Sequence, residues 1–299
     1  MFYLDPICGD DGLSGCSQCN AVKTFSRAHD LVVSGRDDVI LIRSPNASGD
    51  VVITDPIVIT KNAVHIRAAG RKYVLAPSSA GCPSVCVTST DVEIAGLEVT
   101  TNACGTDNAL NLHGFRTRLN GLFIYCATGN GVEIHCCEAC IIKDTKILRS
   151  KGYGFKSHNA TDWIVQDSYI IGGCTDGIIM IACYVPVADN NSIRGTVIHN
   201  NAGYQINIGI CVSEFYIDPT SHVGTGGSGR LLDNGISTMD EDVANRTDTI
   251  RKIHANRQVI TGNQLIIYDD DDVTALFTFD LKDASDVATE DNPKKKVPV

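Results

Sequence analysis

The sequence has no apolar run long enough to cross a membrane, and its first residues, Met1-Phe-Tyr-Leu-Asp-Pro6, have neither the basic nor the apolar region of a secretory signal. It is also short of cations. Lys and Arg number 25 against 35 Asp and Glu, a net charge of −10, which argues against nucleic acid or an anionic membrane as partner. The one glycine-rich loop, Gly224-Thr-Gly-Gly-Ser-Gly229, lacks the Gly-Lys-Ser/Thr ending of a phosphate-binding loop, so nucleotide chemistry is set aside. These absences describe a chain made in a cytoplasm, with no cofactor expected. Cysteine runs the other way. Thirteen in 299 residues is more than an ordinary cytosolic protein carries and less than a small secreted scaffold does.

What is present is a repeat. Ala109-Leu-Asn-Leu112 returns as Gly131-Val-Glu-Ile134, Gly154-Phe-Lys-Ser157, Gly177-Ile-Ile-Met180 and Gly203-Tyr-Gln-Ile206, with starts 22, 23, 23 and 26 residues apart. A second phrase keeps pace: Gly96-Leu-Glu-Val99, Gly121-Leu-Phe-Ile124, Asp144-Thr-Lys-Ile147, Asp167-Ser-Tyr-Ile170 and Gly195-Thr-Val-Ile198. A third phrase, Val92-Glu-Ile94, Leu119, Ile141-Ile142, Ile164-Val165 and Ile193, falls just before each of these. Three short strands therefore recur in each period, and self-similarity of this length marks a solenoid. The asparagine-centred consensus of leucine-rich repeats is missing, as is the hexapeptide period of left-handed β-helices.

With corners such as Ala127-Thr-Gly-Asn-Gly131, the coils resemble the right-handed parallel β-helix of the pectate-lyase-like superfamily. That resemblance implies an all-β right-handed solenoid of about seven coils, with an N-terminal capping helix and a small C-terminal helix plus β-hairpin module. The superfamily holds polysaccharide lyases, galacturonases and phage virion proteins, so the fold alone selects no function. The Ile-Thr-Gly-Asn, Ile-Tyr-Asp-Asp and Phe-Asp-Leu-Lys-Asp words near the end resemble a short module that closes many tailed-phage virion proteins. A virion released by lysis is made in a reducing cell and used outside it, which suits the cysteine count.

The expected organisation is a loop and cap over 1–50, the β-helix over 51–216, a glycine-rich linker over 217–235 and a C-terminal module over 236–299. Thr24 caps a helix running from Phe25 to about Val33, with Phe25, Ala28, Leu31 and Val32 on its apolar face. A second helix is expected from Ser237 or Thr238 to about Ala255, then strand, turn and strand over 262–279. Ile250, Ile253, Leu276, Phe277 and Phe279 give this module more apolar surface than it can bury alone, so they are the candidates for homotrimer contacts.

Asp144 and Asp167 share a corner in adjacent coils, a spacing compatible with paired carboxylate catalysis. Glycine fills the same corner elsewhere, so turn formation is the stronger reading. The outward row Asn111, Glu133, Lys156, Ile179 and Gln205 reads as a contact surface and not an active cleft. His113, His135 and His158 form an outward column, read as surface or interface stacking, with a metal ladder or pH-sensitive seam as the other reading. Asp269-Asp-Asp-Asp272 reads as a hairpin turn before a calcium site. Cys16-Ser-Gln-Cys19 and Cys137-Glu-Ala-Cys140 each have half of a zinc spacing, but disulfides are preferred over free thiols and zinc. The cross-link candidates are Cys8, Cys16, Cys19, Cys82, Cys86, Cys104, Cys126, Cys136, Cys137 and Cys140, with no catalytic or metal residue assigned.

The functional expectation is a non-enzymatic phage virion protein, a disulfide-stabilised homotrimer decorating the capsid or forming a neck or collar spike. Other virion proteins and a host surface glycan are its expected partners. The alternative is a small tailspike that binds or cleaves a host surface polysaccharide.

Overall fold

Alternation at period two gives every strand an inward and an outward face, and three-residue strands of this kind are stable only when stacked on copies of themselves. A computed structural model describes residues 1–44, 49–69, 72–77, 83–101, 107–173, 175–181, 190–209, 212 and 215–224. It also describes, as backbone strands, Gly229–Asp233, Gln258–Thr261, Gln264–Tyr268, Ala275–Lys282 and Lys295–Pro298.

The first of two units, Met1–Thr238, is a right-handed parallel β-helix built of sheets with 9, 8 and 8 strands. The first sheet starts with Phe2–Leu4 and Asp38–Ile42 and ends with Phe215–Ile217. The second runs from Val51–Ile53 to His222–Val223, and the third from Ile57–Ile59 to Gly229–Asp233. Register is maintained by inward aliphatic columns. Ile40, Ile66, Ile94, Leu119, Ile142, Val165 and Ile193 stack in the first sheet, and Ile53, Leu75, Val99, Ile124, Ile147, Ile170 and Ile198 in the second, all buried. Burying each such side chain contributes about 1.5–3 kcal/mol. In the third sheet Leu110, Leu112, Val132, Ile134, Phe155, Ile178 and Met180 face inward as expected. Ser157 interrupts that column and accepts a hydrogen bond from Trp163 Nε1 at 3.0 Å, while Trp163 packs edge-on against Phe155.

The corners repeat as strictly as the strands. Between the first and second sheets Gly96, Gly121, Asp144, Asp167 and Gly195 all adopt left-handed backbone, with φ from 48° to 74°. Glycine takes this conformation freely and aspartate tolerates it. Asp144 and Asp167 are therefore turn formers. Their backbone N–H groups donate to Gln166 O and Arg194 O of the next coil. Gly154 answers to a different constraint, since a Cβ there would lie 2.4 Å from Ile170 Cγ2.

Several boundaries differ from the sequence reading. Phe2–Leu4, in a segment read as irregular loop, pairs with Asp38–Ile42 and extends the first sheet. The capping helix is Phe25–Leu31, with the Thr24 hydroxyl accepting from Arg27 N at 3.2 Å, and it ends two residues short of Val33. The segment read as a glycine-rich linker over 217–235 supplies His222–Val223 and Gly229–Asp233 to the sheets, paired with Val197–His199 and Tyr204–Ile208. The repeat phrase also slips here. Ile178 aligns with Ile206 and Ile179 with Asn207, so Gln205 is not outward but fully buried, its Oε1 accepting from Asn201 Nδ2 at 2.7 Å.

The second unit, Met239–Val299, contains a four-stranded antiparallel sheet. The expected hairpin is its centre, Gln264–Tyr268 against Ala275–Lys282, flanked by Gln258–Thr261 and Lys295–Pro298. The last of these lies beyond the expected strand, turn and strand over 262–279. Leu276, Phe277 and Phe279 belong to the strand Ala275–Lys282. Ile250 and Ile253, the helix expected around them and Asp269 to Asp272 fall outside the described residues.

Candidate functional site

The outer face of the third sheet gathers polar side chains that the sequence presents separately. Glu133 is central. Its Oε1 meets Lys156 Nζ at 2.8 Å, and its Oε2 accepts from Asn108 Nδ2 at 2.6 Å and Asn130 Nδ2 at 3.0 Å. Asn108 also donates to Asn111 Oδ1 at 2.7 Å. Burial pushes the Glu133 carboxyl up, but the hydrogen bond and charge of Lys156 and the two asparagine amides outweigh it and hold the group below the usual carboxylate range. Glu133 is thus an anion that orders its neighbours and has little capacity left to accept from a ligand.

Beside this row runs the histidine column. His135 is in register with His158, their ring centroids 4.5 Å apart, and His113 lies 5.5 Å from His135. Burial first, then the charges of His135 and Lys156, holds the His158 imidazole below the ordinary histidine range, with Glu133 pulling the other way. A neutral imidazole next to a lysine ammonium has the composition of a proton-transfer site. In the following coil Ile179 and Ile181 occupy the positions of Lys156 and His158 and interrupt the polar surface. No cluster of three or more metal-ligating side chains with binding geometry occurs among the described residues.

Asn111, Glu133, Lys156 and the three histidines were visible in the sequence as two separate rows. Their contact was not, and neither was the part of Asn108 and Asn130, the latter read only as part of a corner. Their position immediately before each repeat phrase was the available signal.

The cysteine candidates scatter. Cys8, Cys16, Cys19, Cys126 and Cys136 are exposed free thiols, Cys126 and Cys136 at left-handed corners with φ of 52° and 51°. Cys137 and Cys140 are free but buried, their Sγ atoms donating to Leu112 O at 2.8 Å and Gly114 O at 3.6 Å, and they pack as small core residues. The hydrogen bond with Cys140 and burial push the Cys137 thiol up. Cys86 is half-buried in Val85–Val87, and Cys82 and Cys104 fall outside the described residues. The described cysteines form no disulfide framework.

No family model and no curated protein matches the chain. Solved structures do. A rhamnogalacturonan lyase aligns with a TM-score of 0.50 at 10% identity, over 99% of this chain and 96% of its own. The pectate lyase Pel9A aligns with a TM-score of 0.48 at 15% identity, over 79% and 77%. Tailspike protein 2 of the Escherichia coli O157:H7 bacteriophage CAB120 aligns with a TM-score of 0.37 at 12% identity, over 67% of this chain and 34% of its own. At these identities the likeness is one of fold: a pectate-lyase-like parallel β-helix. The expectation that the chain is not an enzyme is corrected. The solved structures that share its fold include a rhamnogalacturonan lyase, and the face read as a bland contact surface joins Glu133, Lys156, Asn108 and Asn130 in one hydrogen-bonded cluster beside three histidines.

Proposed function

We propose that this chain binds an anionic polysaccharide along the outer face of its third sheet and cuts it by elimination. The observation that carries the reading is the column of His113, His135 and His158, with ring centroids 5.5 and 4.5 Å apart, beside Lys156 on a track of hydrogen-bonding side chains. The Lys156 ammonium would pair with a sugar carboxylate and stabilise the charge that develops there as the adjacent carbon loses its proton. His158 would take that proton, and the bond to the neighbouring sugar's oxygen would break to leave a carbon–carbon double bond. The leaving oxygen is protonated by water or by His135, next in the column. Hydrolysis by two carboxylates suits the face less well, because Glu133 is bonded to three side chains and Asp176 to Tyr204 N and Asn207 Nδ2.

The test is to incubate the protein with polygalacturonate, alginate and a glycosaminoglycan and follow ultraviolet absorbance for unsaturated ends. Absorbance that grows with time and vanishes in Lys156→Ala supports the reading. New reducing ends without unsaturation would point to hydrolysis and overturn the eliminative step. No cleavage of any acidic polymer would overturn the reading.

The virion setting belongs to the same proposal: a glycan-cutting, homotrimeric spike on a phage particle, supported by the phage-like words at the chain's end. Labelled antibody on purified particles, with the mass of the assembled protein in solution, tests both parts.

A further inference from the structure

The first sheet carries a cleft of about 480 Å³ near its N-terminal end, lined chiefly by Asp37, His65, Asp91, Glu93, Arg116 and Arg118, none of which belongs to the site on the third sheet. Two columns build it. Val39, His65, Glu93 and Arg118 are in register and outward on successive strands, while Asp37, Asp91 and Arg116 sit at left-handed corners two residues earlier in their coils.

Most of these charges are spoken for. Arg116 grips Asp91 with two bonds, of 2.6 and 2.7 Å. Glu93 Oε2 accepts from Arg67 at 3.2 Å and meets His65 Nδ1 at 3.1 Å. Two groups of opposite sign are left over. The Arg118 guanidinium makes no hydrogen bond or ion pair among the described residues, and the Asp37 carboxylate, 80% exposed, meets only His65 Nε2 at 3.6 Å. They are separated by three coil steps, about 14 Å along the solenoid.

We propose that this cleft is a second saccharide site, which holds a short anionic oligosaccharide and does not cut it. A sugar carboxylate pairs with the planar fork of Arg118. Hydroxyls further along the chain donate to Asp37 and bond His65. The length suits several sugar units, and the size falls within the range of small-ligand sites, about 300–1,000 Å³. A nucleotide fits poorly, since no Phe, Tyr or Trp lines the cleft and one unengaged cation is too few for a polyphosphate. The choice of an anionic sugar rests partly on the proposed function, whereas the vacant pair of charges does not.

The experiment titrates the full chain carrying Lys156→Ala, so that no ligand is consumed, with a short oligogalacturonate by calorimetry. Adding Arg118→Ala should weaken binding about tenfold or more, the loss of a charged, forked hydrogen bond. Arg118→Lys should restore part of it, and Asp37→Asn should cost less. Unchanged affinity in Arg118→Ala, equal binding of a neutral cello-oligosaccharide, or no saturable binding would each overturn the proposal. Arg118-dependent binding in a protein that cuts nothing sinks the eliminative reading and leaves the cleft standing. Cutting without Arg118-dependent binding does the reverse.

Discussion

The outer faces of the second and third sheets share a period, a backbone and a core, yet differ in chemistry. The third presents Asn111, Glu133 and Lys156 beside its histidines, bonded into one network. The second presents Phe123, Lys146, Tyr169 and Val197 in one row and Tyr125, Leu148 and Ile171 in the next, with Phe123 stacked on Tyr125 at 5.5 Å and Lys146 over the Tyr169 ring. Inward positions must be largely apolar for the coils to stack, and both sheets fill them mainly with apolar side chains, Ser157 in the third excepted. Outward positions are free of that demand, and there the two faces diverge.

The sharpest way to break this comparison is to attack what the faces share. Phe155→Ala empties a fully buried site beneath the third sheet and should cost about 3–5 kcal/mol, lowering the thermal midpoint and removing any activity with it. A midpoint close to that of the natural protein would mean that the inward column does not carry the fold. Gly154→Ala comes next. Its Cβ would press into Ile170 and Gly177 O, a cost of about 1–3 kcal/mol readable by chemical denaturation.

Substitutions on the outer faces should separate activity from stability. Lys156→Ala should reduce turnover about 100-fold or more while circular dichroism and melting stay near those of the natural protein. Tyr169→Ser on the second sheet should leave both within measurement error, about 0.5 kcal/mol for an exposed position. If Tyr169→Ser abolished cutting and Lys156→Ala did not, the faces would have been assigned the wrong way round.

The smallest effects concern protons. Burial and neighbouring charge lower the His158 pKa, so as pH falls it stays neutral longer than an ordinary histidine, and the acid limb of activity should lie below the usual histidine range. Lys156→Gln removes one of the lowering charges, so an NMR titration should find His158 raised. The capping helix gives a stability counterpart. His29 Nε2 accepts from Thr60 N at 3.3 Å, and Lys61 Nζ caps the helix carbonyls of His29, Asp30 and Val32. Burial, then Lys61, lowers the His29 pKa, with Asp30 raising it. The contribution is complete above the unfolded value of about 6.5 and is lost as pH falls from there through the folded value. Stability should therefore decline on mild acidification, and less so in His29→Gln.

Much of the fold was legible because stacking imposes a strict rule on every coil. The repeat alone names the inward residues from Leu110 to Met180 and the corners at Asp144 and Asp167. It failed where the rule loosened. At Gly203 the repeat phrase falls two residues out of register with the strand pairing, and counting from glycine placed Gln205 outside when it is buried. Glycine and serine signal a flexible chain, yet Gly229–Asp233 pairs with Tyr204–Ile208 in the third sheet.

The site was legible in its parts and not in its assembly. Sequence by itself determined the period, the inward columns, the left-handed corners and the presence of Glu133, Lys156 and three registered histidines, because each follows from residue type at a fixed interval. Tertiary structure decided that Asn108 and Asn130 close on Glu133, that Cys137 and Cys140 lie in the core, and that Asp37, His65, Glu93 and Arg118 share a cleft. The physical reason is that a period states which residues occupy equivalent positions. Hydrogen bonds, burial and vacant charges depend instead on which side chains from neighbouring coils and corners come within about 3 Å of one another, a distance that no repeat encodes.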